Sequence, residues 1–111
     1  MPSKVILIQS EVLGKGDDEL GMLLMSNFLR LLEESQDKPA TLIFWNAGVR
    51  LVCEGSWALG HLKGLEKQGV EILACTTCLE YFELTDKLKV GKPTTMVSTI
   101  QSMLSSDTLC L

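Results

Sequence analysis

Two cysteines separated by two threonines, Cys75-Thr76-Thr77-Cys78, are the one local constellation in this chain suited to covalent chemistry. They follow the apolar run Val70 to Ala74, read as a strand, and Thr77 with Glu80 has the Thr-x-x-Glu spacing of a capping box. The pair therefore sits where a strand turns into a helix. Free amides and the positive end of the helix dipole favour a thiolate at such a start, and the thiolate is the form that attacks sulfur, carbon or a metal. Both thiols are expected to be acidic, with Cys75 and Cys78 as the candidate reacting residues. The plain alternative is two small cysteines that pack a sheet.

Spacing removes most other chemistry. A structural zinc would have to recruit Cys53 and the sole histidine, His61, without a second Cys-x-x-Cys, so no metal or cofactor is expected. A thioredoxin-type dithiol also opens a helix after a strand, and Lys92-Pro93-Thr94 has some likeness to its proline loop. Here, however, the motif follows the third strand and the proline comes too soon after it. His61 lies inside a helix one turn after Trp57 and reads as structural. Gly14-Lys15-Gly16 lacks phosphate-loop spacing, and Asp17 and Asp18 would repel a phosphate. Arg50 reads either as an attractor of anionic substrates or as a solvated surface residue.

The elements that must position the cysteines follow from periodicity. Lys4 to Gln9 is a strand covered on both faces. Asp17, Asp18 and Glu19 start a helix that runs to about Glu34, with Leu20, Leu24, Phe28 and Leu31 on one face and Met22, Met25, Leu29 and Leu32 on a second. Two apolar stripes imply burial on two sides or a contact with another subunit. Thr41 to Trp45 is a second buried strand ending in Asn46, Ala47 and Gly48, and Ser56 caps a helix to about Gln68. After the cysteine turn come a short strand, Thr95 to Val97, a helix capped by Ser98 with Gln101, and a last strand, Thr108 to Leu111.

Strand and helix alternate to the end, which predicts right-handed crossovers and a parallel sheet with helices on both faces. The expected fold is a three-layer α/β sandwich with about five strands, Rossmann-like or flavodoxin-like. Ligands in such folds bind at the carboxyl ends of the strands, and these ends present Ser10, Asn46, Cys75 and Ser98.

Composition sets the frame. The 111 residues, 46% apolar, read as one domain over 1–111. Lys and Arg number 10 against 14 Asp and Glu, a net charge of −4 that disfavours nucleic acid as a partner. The longest aliphatic run, Val5 to Ile8, is too short for a membrane span or a signal-peptide core, so a cytoplasmic protein with reduced cysteines is expected.

Four segments in order carry a family resemblance: Gly16-Asp17-Asp18-Glu19-Leu20-Gly21, Phe44-Trp45-Asn46-Ala47-Gly48-Val49, Gly69-Val70-Glu71-Ile72-Leu73-Ala74-Cys75 with Cys78-Leu79, and Leu88-Lys89-Val90-Gly91. Together they resemble the DsrE-like domain of YedF-type selenium-metabolism proteins, over nearly the whole chain. The resemblance implies a DsrE-like parallel α/β fold, homo-oligomers, and a sulfur relay in which a cysteine at this strand end carries a persulfide. That cysteine corresponds to Cys75. The chain departs from the family at Thr76, where glycine is common, and at Thr95-Met96, where an Asn-Met pair is common.

The expected function is thus a sulfurtransferase-like carrier. Cys75 attacks the outer sulfur of a donor persulfide, holds it and passes it, or selenium, to an acceptor thiol. Cys78 resolves the persulfide or hydrogen-bonds it, and the amides from Thr76 to Leu79 steady the charge. Ser10, Asn46, Gly48, Val49, Thr76 and Thr77 are the expected pocket residues. Partners would be sulfur donor and acceptor proteins or small persulfides. The rival readings are a non-catalytic binding or assembly module and a dithiol redox protein.

Overall fold

In a computed structural model, described over residues 4–111, five strands form one parallel sheet in the order Lys92–Thr94, Glu71–Cys75, Thr41–Phe44, Lys4–Ile8 and Asp107–Cys110. In chain order the elements are β1 (Lys4–Ile8), α1 (Asp18–Glu34), β2 (Thr41–Phe44), a 3₁₀-helix (Asn46–Val52), α2 (Leu59–Lys67), β3 (Glu71–Cys75), α3 (Thr76–Tyr81), a 3₁₀-turn (Thr85–Lys87), β4 (Lys92–Thr94), α4 (Met96–Ser105) and β5 (Asp107–Cys110). Helices lie on both sides of the sheet, as the strand–helix alternation predicts. From β1 to β4 the chain steps in one direction, then returns to pair β5 with β1. With right-handed crossovers, that return must run over the opposite face.

Cover on both faces explains why the central strands are apolar throughout instead of alternating. Every residue of β2 is buried. Ile6, Ile8, Leu42, Phe44, Ile72 and Ala74 pack with Met25 and Leu29 of α1 and Leu62 and Leu65 of α2, while Val5, Leu7, Ile43 and Leu73 form a smaller cluster. Ile8 stands opposite Phe44, Phe44 opposite Ala74, and Cys75 opposite Thr94, so the strands end along one edge.

Helix α1 starts as its acidic residues predict, with the Asp17 carboxylate accepting the Leu20 N–H at 2.9 Å. Its rotation differs from the primary stripe. Gly21, Met25 and Leu29 face the core, whereas Leu20, Leu24 and Leu31 are exposed and Leu23 is 57% exposed. Gly21 explains the rotation: a Cβ there would lie 2.8 Å from the Val12 Cβ, so α1 rests its glycine on the loop before it. The helix is therefore not buried on two sides. α4 is barer still, with Thr99 its one buried residue and Val97 and Leu104 exposed.

The boundaries around α2, β4 and α4 shift for local reasons. Ser56 accepts the Ala58 N–H at 3.0 Å within a turn, and α2 opens only at Leu59 with no side-chain cap. β4 is Lys92–Thr94 and not Thr95 to Val97; Pro93 is tolerated because this is an edge strand. Thr95, not Ser98, then caps α4, its hydroxyl accepting the Ser98 N–H at 3.1 Å.

Candidate functional site

Strand β3 runs one residue past its predicted end, so Cys75 is both the last strand residue and the N-cap of α3. The expected Thr77–Glu80 capping box does not form: α3 begins at Thr76 and its cap makes no side-chain hydrogen bond. The Thr76 hydroxyl instead donates to the Thr94 carbonyl at 2.9 Å, tying the turn to β4. Cys75 is 5% exposed and belongs to the main core.

Cys78, one helical turn further on, is half-buried and faces a cavity of about 390 Å³ lined by Asn46, Thr77, Cys78, Tyr81 and Phe82. Tyr81 and Phe82 follow Cys78 by three and four residues, the spacing that puts side chains on one helix face. Their rings meet edge to face with centroids 5.3 Å apart. The opposite wall comes from the end of β2. Asn46 adopts the left-handed conformation at φ 50°, and its backbone N–H donates to Cys78 Sγ at 3.1 Å.

The environment of Cys78 overturns the expectation of an acidic thiol at this position. Burial pushes its pKa above the ordinary thiol value, the neighbouring Cys75 side chain pushes it the same way, and the Asn46 amide offsets only part of the rise. A six-residue helix brings few aligned peptide dipoles to oppose that burial. Burial raises the buried Cys53 thiol too.

Of the expected pocket residues, Asn46 and Thr77 line the cavity with Cys78. The others sit elsewhere. The Ser10 hydroxyl accepts the Val12 N–H at 3.2 Å, Val49 is fully buried, and Thr76 is engaged with Thr94. Gly48 is a close-packing residue: a Cβ there would stand 2.5 Å from the Ile8 carbonyl oxygen. Ser98 lies in the first turn of α4 and not at a strand end. Tyr81 and Phe82 complete the lining beyond the expected pocket residues, and their spacing of three and four from Cys78 is the sequence signal for it.

Arg50 backs the cavity without lining it. Its guanidinium lies 4.5 Å from the Phe82 ring centroid and 3.2 Å from Glu11 Oε1, and with Glu11, Cys53, Glu54 and Trp57 it borders a separate cavity of about 290 Å³. His61 Nδ1 stands 2.8 Å from Glu33 Oε1, joining α2 to α1. Among the described residues no three His, Cys, Asp or Glu side chains gather as metal ligands, and no helix is long and apolar enough to cross a membrane.

The strand order and the helices on both sides define a compact three-layer parallel α/β sandwich, with the cysteine turn at the carboxyl edge of its sheet. The YchN protein from E. coli superposes with a TM-score of 0.74 at 21% identity, over 100% of both chains. MTH1491 from Methanobacterium thermoautotrophicum, described as a protein of unknown function, follows at 0.68 and 19%, over 98% of this chain and 99% of that one. BT1422 from Bacteroides thetaiotaomicron, a conserved protein of unknown function, gives 0.63 and 14%, over 98% and 95%. At these identities the likeness concerns the fold. No family profile and no curated protein matches the chain.

Proposed function

We propose that this protein carries sulfur, or selenium, as a persulfide on Cys78, in the manner of the YedF-type sulfurtransferases that its sequence resembles. The observation that carries the reading is the Cys78 thiol facing a cavity while the Asn46 amide donates to its sulfur. The reading assigns the attack to Cys78 in place of Cys75, because Cys75 is enclosed in the core and absent from the cavity wall.

The Cys78 thiolate attacks the outer sulfur of a donor persulfide R–S–SH, forming Cys78–S–SH and releasing the donor as its thiolate. An acceptor thiolate then attacks that outer sulfur and leaves with it, which restores the Cys78 thiolate. The Asn46 N–H, already aimed at Sγ, supports negative charge on the sulfur at both stages. Tyr81 and Phe82 offer an apolar wall to the body of the donor. Donor and acceptor are small persulfides or proteins, and the bare faces of α1 and α4 support self-association in the cytoplasm.

The test is incubation with glutathione persulfide, removal of the small molecules and peptide mass spectrometry. One added sulfur on Cys78, absent from Cys78→Ser, supports the carrier. An adduct that survives in Cys78→Ser, or neither an adduct nor released sulfide from the wild type, removes it. A non-catalytic assembly module is the second reading, favoured by the exposed leucines of α1.

A further inference from the structure

Cys75 and Cys78 divide their surroundings unequally. One thiol is sealed in the core at the end of β3, the other opens on the cavity, and both are free. N-cap and third helical residue lie on one turn, where side chains three apart come within about 5–6 Å at Cβ, a separation a disulfide spans after small adjustment of the turn. The sealed thiol is out of reach of a donor but beside the inner sulfur of anything attached to Cys78.

Given the carrier reading, on which this rests, we infer that Cys75 is an internal resolving thiol that turns the Cys78 persulfide into sulfide and a Cys75–Cys78 disulfide. The balance closes without an external oxidant. The Cys75 thiolate attacks Sγ of Cys78–S–SH, the Sγ–S bond breaks, and hydrosulfide leaves with the electron pair. The persulfide's outer sulfur is reduced to sulfide as the Cys75 sulfur is oxidised, while the Cys78 sulfur exchanges one S–S bond for another. The activity is persulfide reduction with sulfide release, and its next turnover requires a dithiol reductant to reopen the disulfide. An acceptor protein that binds the cavity competes with Cys75 for the same persulfide, so the lifetime of the carried sulfur is set by which thiol reaches it first.

The experiment loads wild-type protein, Cys75→Ser and Cys75→Ala with glutathione persulfide, removes small thiols by gel filtration, and follows released sulfide and intact mass over time. Wild type is expected to release about one sulfide per chain and to become two hydrogens lighter than the reduced protein, with a Cys75–Cys78 cross-link in its peptide map. Both variants are expected to keep the added sulfur on Cys78 with loss of sulfide release. Should wild type hold its adduct as long as the variants do, Cys75 is no resolving thiol while the carrier stands. An adduct on no form overturns both. The wild-type sulfide and cross-link measurements decide the matter alone if neither variant folds.

Discussion

The backbone N–H of Asn46 points at Cys78 Sγ from 3.1 Å, joining the start of the 3₁₀-helix after β2 to the first turn of α3 across 32 residues of sequence. This bond makes the accessible cysteine part of a built site and not a lone surface thiol. It depends on Asn46 holding φ at 50°, a left-handed conformation that asparagine tolerates better than most side chains.

Replacing Asn46 by glycine is expected to keep the conformation, the amide and the persulfide loading of Cys78. Asn46→Ala should cost about 1–2 kcal/mol, the usual left-handed penalty. Urea unfolding of the two variants measures the difference; equal losses would show that the conformation does not matter.

Burial sets the pH behaviour of the thiols. The pKa values of Cys53 and Cys78 are both raised, so above the ordinary thiol value of about 8.5 the folded protein holds more protons than the unfolded chain. Stability then falls as pH rises through the raised values, and is fully present below the ordinary one. Unfolding free energies from roughly pH 7 to 10 should decline less in the Cys53→Ala, Cys78→Ser double variant than in wild type.

Reactivity should follow the same direction. Iodoacetamide is expected to modify Cys78 more slowly than free cysteine at neutral pH, with a rate profile displaced to the alkaline side. A profile displaced to the acid side would mean that the Asn46 amide outweighs burial.

Gly48→Ala tests the close approach behind the site. The added Cβ would meet the Ile8 carbonyl oxygen at 2.5 Å, and a backbone oxygen in a sheet cannot swing aside. A loss of about 1–3 kcal/mol is expected, read by denaturant midpoint. No loss would show that the 3₁₀-helix is free to lift away from β1.

The rotation of α1 gives a paired test. Leu29 is fully buried, so Leu29→Ala should cost about 2–5 kcal/mol, while Leu23→Ala should stay within about 0.5 kcal/mol. If the bare face joins copies of the chain, Leu20→Lys with Leu23→Lys should lower the mass seen by light scattering. An unchanged mass removes that contact.

Much of this was legible in the sequence because it is local. Apolar runs with helical stretches between them determined the parallel sheet, the acidic triplet at Asp17 determined where α1 starts, and Val70 to Ala74 put the cysteine turn at a strand end. Each rests on neighbours a few residues apart, whose spacing a linear chain displays. What tertiary structure alone decided was which stripe of α1 meets the core, that the strand containing Pro93 takes the sheet edge, and that Cys78 and not Cys75 faces the cavity. Those outcomes come from burial against segments far away in the chain. Val12 beneath Gly21, Thr94 beside Cys75 and Asn46 against Cys78 meet only when the layers close.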